Sequence, residues 1–258
     1  MHTVAARHQL HNLNLAAGRA ACRVRFMNGR RGYGQHCPIA IAAEIVAERW
    51  TPLLVRALCM GATHFNEIHE SVPKMSPALL SKRLRELEYA GVIRRTKGAG
   101  GRGGYRLTEA GEALFPVLEA MGFWAQRWLR RDIVSKDNLD PFILMWEIRR
   151  HWRASGRDLA ARRVVHFHLD GAPAAKRLYW LVFEPNDIDI CTRDPGFEID
   201  LWVAAGIRTL VEIWLGHRSL DAAIDDGALR LDGSAGERKA FRAWFALSHF
   251  ARGQDGAG

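Results

Sequence analysis

Long apolar runs are missing from this 258-residue chain. The densest short one, Pro141 to Trp146, is closed off by Asp140 and Glu147, far short of the roughly 18 apolar residues that span a bilayer. A membrane bundle is excluded. Cysteine is scarce: Cys22, Cys37, Cys59 and Cys191 stand at wide, irregular intervals. In a chain long enough to build its own cores, that spacing argues for reduced thiols over a disulfide framework or a zinc knuckle. The N-terminus lacks a compact apolar segment followed by a small-residue cleavage site, so no secretory signal is expected and the chain should stay in the cytoplasm. Apolar side chains as a class are not lacking. A composition of 48% hydrophobic and 25% charged residues excludes a disordered or collagen-like chain and suits a globular protein of two domains.

Acidic residues are the other shortage, and only in the first half. Residues 1–131 hold 20 Lys+Arg against 9 Asp+Glu, a net +11, whereas residues 132–258 hold 17 against 19, a net −2. A basic module joined to a nearly neutral one is the electrostatic footprint of a nucleic-acid reader with a second domain that has another task. A basic surface kept for solubility would be spread evenly.

Residues 1–32 show no sustained apolar period and read as a flexible basic tail. Residues 33–131 then carry a series of short elements. Pro38 suits the first turn of a helix with Ile41, Ile45 and Val46 as its buried stripe. A second helix is expected over 50–60, with Leu53, Leu54, Ala57 and Leu58 apolar and Gly61 as its stop. A third runs over 65–71, with Phe65 and Ile68 inward. Ser76-Pro77 is an N-cap followed by a first-turn proline, and the helix it opens continues to Ala90 before Gly91. On this helix Leu80, Leu84 and Leu87 share one face; Ala78, Lys82 and Arg85 lie opposite, with Ser81 on the flank. Residues 92–95 and 105–108 form a predicted β-hairpin whose glycine-rich tip carries Arg102. After Thr108 one long helix presents Leu114, Leu118, Met121, Trp124 or Ala125, and Trp128 on a stripe wide and aromatic enough to need a partner.

This order is that of a winged helix-turn-helix. The major groove of B-DNA admits one α-helix, so a reader must offer small and cationic side chains on an exposed helical face. Ser76, Ala78, Ser81, Lys82 and Arg85 supply them, and a glycine-rich wing with Arg102 can approach a neighbouring minor groove or phosphates. Taken alone, Lys82 and Arg85 are a merely solvated face; the charge split and the wing favour DNA contact. The pattern Gly98-x-Gly100-x-x-Gly103 matches a dinucleotide-binding turn, but it joins two hairpin strands where a cofactor turn joins a strand to a helix. No cofactor is expected.

Several segments together resemble the HxlR-type transcriptional regulators: Cys37-Pro38-Ile39, Arg49-Trp50-Thr51, Phe65-Asn66-Glu67-Ile68, Ser76 through Leu87, and Tyr105-Arg106-Leu107-Thr108-Glu109-Ala110-Gly111. The resemblance covers about residues 34–130. It implies a homodimeric winged-helix repressor or activator, with the helix from Ser76 as recognition helix and the first and last helices of the module as dimer interface. Some members of that family sense oxidants through a cysteine at the place of Cys37, beside His36 at a helix start where aligned amides favour a thiolate. The duller reading makes Cys37 a small capping residue beside the dimer interface.

Residues 132–160 read as a connector holding one helix that opens at Asp140-Pro141 and whose amphipathic stripe docks it onto one of the domains. From Val164 the pattern is strand-like, with Val164, His166 and His168 alternating against Val165, Phe167 and Leu169. Further strands are expected over 179–183, 188–191 and 199–203, and helices over 206–215, 220–226 and 237–249. His166 and His168 share a strand face, as a metal pair would, but nothing at ligand spacing completes a set and ordinary surface histidines are favoured. No catalytic constellation is present, so an enzyme is not expected.

Tyr179-Trp180-Leu181-Val182, Asp189-Ile190-Cys191, Asp194-Pro195-Gly196-Phe197, Trp214-Leu215-Gly216, Ala222-Ala223-Ile224 and Trp244-Phe245 resemble the sterol carrier protein type 2-like fold over about residues 161–250. That implies a curved sheet covered by helices, with a cavity for a hydrophobic molecule. Trp214, Phe241, Trp244 and Phe245 are candidates to line it, although at helical spacing such aromatics are more often plain core. Residues 251–258 read as a tail. The expectation is therefore an α+β chain: a winged helix-turn-helix followed by a sterol-carrier-like α+β domain. Its expected partners are double-stranded DNA, a second copy of itself and a hydrophobic small-molecule effector. Its operator should be pseudo-palindromic, with half-sites about one helical turn, or a multiple of it, apart. The rival reading is a lipid carrier tethered to anionic surfaces by its basic half.

Overall fold

The computed structural model describes residues 32–97, 103–154, 162–185, 187–245 and 247–254. Nearly all of the expected N-terminal tail, and Arg102, lie outside the described residues. The first half runs α1 (Pro38–Val46), α2 (Thr51–Cys59), α3 (Phe65–Glu70), α4 (Pro77–Tyr89), β1 (Ile93–Thr96), β2 (Gly104–Leu107), α5 (Glu109–Glu112), α6 (Phe115–Trp128) and α7 (Arg130–Ile133). Its core joins Leu54, Val55 and Leu58 of α2 to Ile68 of α3, Leu80, Leu84 and Leu87 of α4, and Ile93 of β1. The local signals on α4 work as their chemistry requires. The Ser76 hydroxyl accepts the N–H of Leu79 at 3.3 Å, and Gly91, at φ +75°, follows the last turn in the left-handed region that glycine enters without strain.

Three expectations in this half need correction. The α1 stripe is largely uncovered: only Ile45 and Val46 pack on the core, while Ile41 is exposed and Ile39 is 79% exposed. Leu53 also faces outward, because Leu54, Val55, Ala57 and Leu58 already fill the inner side of α2. The single long helix after Thr108 is two helices. Pro116 in the first turn of α6 has no N–H to bond the preceding turn, so the chain restarts there.

Gly111 in α5 lies against Val92, the residue just before β1. A Cβ at this position would come within 2.1 Å of the carbonyl oxygen of Val92, which is backbone and has no room to yield. Thr108 fixes this approach: its Oγ1 donates to the Gly91 carbonyl at 2.6 Å and accepts the Gly111 N–H at 3.2 Å. We expect Gly111→Ala to destabilise the fold by about 2–4 kcal/mol through this clash. Chemical denaturation checks it, and an unchanged midpoint contradicts it.

The second half opens with α8 (Pro141–Ala154) and builds one sheet from β3 (Arg163–Asp170), β4 (Leu178–Glu184), β5 (Asp187–Cys191), β6 (Leu201–Gly206) and β7 (Leu229–Gly233). The order is β5-β4-β3-β6-β7, with β3 and β6 parallel and the other pairs antiparallel. The link from β5 to β6 therefore crosses β4 and β3, and is pinned where the Asp200 carboxylate accepts the Val164 N–H at 2.7 Å. Helices α8, α9 (Ile207–Trp214), α10 (Leu220–Asp225) and α11 (Ala235–Trp244) contribute to one core on the face bearing Val165, Phe167 and Leu169.

The helix expected in the connector, α8, docks on the C-terminal unit: its Leu144, Met145, Ile148 and Trp152 belong to the sheet's core. Strand β7 was not expected, nor was the end of α11 at Trp244. Residues 251–254 of the expected tail belong to a 3-10 turn over His249–Gln254, in which Phe250 packs edge-on against Phe123 of α6. His166 is not a surface histidine. It is 4% exposed, between the rings of Trp180 and Trp202 on the sheet face opposite the helices.

The two halves share a polar seam. Arg56 of α2 pairs with Glu147 of α8 at 2.8 Å, and the Arg150 guanidinium meets the carbonyls of Ala57 and Met60 at the end of α2, where a cation is favoured. Farther along, the His151 ring bonds the Glu147 carbonyl through Nδ1 at 3.2 Å and accepts the His249 N–H at Nε2, 3.3 Å away. His217 Nε2 bonds the Gln126 side-chain oxygen of α6 at 2.5 Å. Burial, with Arg130 nearby, pushes the His217 pKa down to about 4; burial also lowers that of His151. Both rings are thus held neutral in the fold, whereas in the unfolded chain they take up protons below about pH 6.5. Their stabilisation is present above pH 6.5 and is lost as pH falls from there toward 4. Thermal midpoints should drop across this window, and His217→Asn should reduce that drop relative to the parent. Equal slopes contradict the assignment.

Candidate nucleic-acid interface

The helix-turn-helix is α3, the turn 71–76 and α4. The turn is locked by His69, whose Nε2 meets the Met75 carbonyl at 2.8 Å, and by Ser71, whose hydroxyl donates to the Ile68 carbonyl at 2.6 Å. With Leu80 and Leu84 fully buried, α4 cannot rotate about its axis without exposing them, and this fixes which side chains point outward. Ala78, Lys82 and Arg85 are exposed, Ser81 is half-buried, and exposed Ser76 caps the helix.

The three cations of α4 have different environments. Arg83 is held at 2.8 Å by Glu48 and at 2.5 Å by Glu86, which ties the helix to the α1–α2 turn. Neither Lys82 nor Arg85 has a carboxylate partner among the described residues. Of three adjacent positive charges, one serves the fold and two face solvent.

The hairpin adds two cations that sequence reading missed. Arg94 of β1 and Arg106 of β2 stand directly opposite in the antiparallel register, both exposed and neither paired with a carboxylate among the described residues. Like charges in that arrangement destabilise a hairpin. On the other face Arg95 is neutralised by Glu88 at 3.1 Å and lies 5.7 Å from the Tyr105 ring centre. The available signal was alternation: two outward positions, one per strand, both arginine. The wing is anchored to the module through the Tyr105 N–H, which donates to the Thr63 carbonyl at 2.7 Å.

The family model for the HxlR-like helix-turn-helix matches residues 45–133. The HTH-type transcriptional regulator YvaP of Bacillus subtilis (strain 168) is 39% identical over 90 residues, 34% of this chain and 83% of that protein. The chain belongs to the HxlR-type helix-turn-helix transcriptional regulators. Another member from the same organism, the HTH-type transcriptional regulator YodB, is 34% identical over 95 residues, 36% of this regulator and 85% of that protein. The crystal structure of reduced YodB aligns at 33% identity and a TM-score of 0.33, covering 36% of this chain and 95% of that one. In this HxlR-type regulator the exposed cations of α4 and the hairpin thus sit in a module of a DNA-binding family.

The remaining candidate residues lie elsewhere. Cys37 is the N-cap of α1, a free, half-buried thiol. Trp214, Phe241, Trp244 and Phe245 are all buried in the C-terminal core. Trp244 meets Trp152, Phe183 and Phe241 at ring-centre distances of 5.6, 5.0 and 4.9 Å, and Phe241 stacks on Phe245 at 5.1 Å. These rings fill the space between sheet and helices with one another, as the favoured reading of them as plain core expects. Among the described residues no group of His, Cys, Asp or Glu could hold a metal ion, and no helix is long and apolar enough to cross a membrane.

Proposed function

We propose that the regulator binds a pseudo-palindromic operator as a homodimer, each copy placing α4 in the major groove and its hairpin against the flanking backbone or minor groove. The observation that carries this reading is the split of the α4 cations: Arg83 is consumed by Glu48 and Glu86, while Lys82 and Arg85 share an exposed face with Ala78 and Ser81. Small side chains let the helix axis approach the base edges, and the two cations match guanine acceptors or phosphates. Arg94, Arg106 and, beyond the described residues, Arg102 supply backbone contacts. Homodimerisation is supported by α6, where Val117, Met121, Trp124 and Trp128 are between 49% and 63% exposed along one stripe.

The C-terminal unit is read as sterol-carrier-like on its sequence segments and its one-sided sheet. A hydrophobic effector bound at Trp214, Phe241, Trp244 and Phe245 has to part their packed rings. Fluorescence anisotropy with fragments of the regulator's own promoter, at several salt concentrations, tests the proposal. Sequence preference that persists at high salt supports operator reading, and its loss points to mere tethering on polyanions.

A second reading, thiol sensing, rests on the free thiol of Cys37 at the start of α1, beside exposed Ile39 and Ile41. If it is right, Cys37→Ser binds operator as the parent does but no longer responds to diamide; a retained response removes Cys37 from the account.

A further inference from the structure

The seam between the two halves contains a cleft of about 610 Å³, walled on one side by α7 and on the other by α9 and the turn after it. Arg130, Arg131, Arg208 and Arg218 line it, together with Glu212 and His217. Arg218 pairs with Asp226, outside the lining. Arg130 donates one N–H to the His217 carbonyl at 2.9 Å, and neither Arg131 nor Arg208 has an ion pair among the described residues. With Arg218 compensated by Asp226, three guanidiniums against the one lining carboxylate of Glu212 leave a concave surface with excess positive charge.

We propose that this cleft binds a small molecule bearing phosphate or carboxylate groups, held chiefly by Arg130, Arg131 and Arg208. Guanidinium forks match the paired oxygens of both groups, and the volume lies within the usual range of small-ligand sites. Burial is the main cause of the low pKa of His217, and the Arg130 charge beside it adds to the shift. Arg130 and Arg131 belong to the DNA-binding half and Arg208 to the C-terminal sheet's helix layer, so a bound anion bridges the halves next to the bonds from Gln126 and Arg130 to residues 215–217. Such a ligand changes DNA affinity to the extent that it binds one arrangement of the seam better than another.

The test is calorimetric titration of the full chain with pyrophosphate and, separately, citrate, at constant ionic strength and without DNA, so its outcome is independent of the operator reading. Saturable binding of one anion per protomer is expected for at least one probe, and which probe binds separates phosphate from carboxylate ligands. Arg131→Ala/Arg208→Ala should weaken it about tenfold or more, Arg208→Glu alone should do likewise, and Lys82→Ala/Arg85→Ala should leave it unchanged. The proposal is overturned if neither probe saturates, if both cleft variants bind as the parent does, or if the α4 variant loses binding and the site is therefore on the DNA face.

Discussion

Lys82→Ala/Arg85→Ala should bind operator at least about 30-fold more weakly than the parent, since each side chain contributes roughly 1–3 kcal/mol if it reaches base edges. Folding should be unaffected, because neither side chain is buried or ion-paired with a described residue. The form of the loss is as informative as its size. Removing a base contact lowers the ratio of specific to non-specific affinity, whereas removing a phosphate contact weakens all sequences together and reduces the salt slope by about one per charge. Arg83→Ala should behave differently: it breaks the tie to Glu48 and Glu86, and so lowers the melting temperature while affecting DNA only through the fold. Anisotropy titrations with operator and scrambled duplexes, paired with thermal melts, separate the three outcomes. Undiminished operator affinity in the double variant removes α4 as the reader.

The second large effect concerns the exposed stripe of α6. Its opposite side is already occupied, with Glu119, Gly122, Phe123 and Gln126 against the C-terminal unit; a Cβ on Gly122 would come within 2.2 Å of the Phe250 ring. Leu118 faces the N-terminal core. What remains is Val117, Met121, Trp124 and Trp128, apolar and unpartnered, an arrangement that marks a protein interface. If two copies pair through α6 as proposed, the parent sediments as a dimer and Met121→Lys/Trp124→Lys as a monomer. Operator affinity should fall about 10²–10⁴-fold, because the second half-site contact then no longer benefits from being tethered to the first. A parent chain that sediments as a monomer, or a charged variant that stays dimeric, contradicts this role for α6.

Elements set by local chemistry were legible: Ser76-Pro77 opening α4, the buried period of Leu80, Leu84 and Leu87, and the glycine-rich hairpin. Features created by pairing across long separations were not. Arg94 and Arg106 gain meaning only from a register that puts them opposite each other. Strand β7 is short, lies at a sheet edge and carries Arg230 and Asp232, so it lacks the apolar run that marks a central strand. His166 shares a face with His168, but only the sheet brings Trp180 and Trp202 over it. Aromatic spacing could not tell a lined cavity from a filled core; the ring contacts of Trp244 and Phe241 do.

Guanine-N7 methylation interference on the promoter fragment tests the major-groove claim most directly, since N7 lies in that groove. The account predicts that methylated guanines block binding within two half-sites spaced about one helical turn, or a multiple of it, and that Lys82→Ala/Arg85→Ala erases part of that pattern. Binding that is indifferent to N7 methylation, or blocked only by methyl groups in the minor groove, would contradict it.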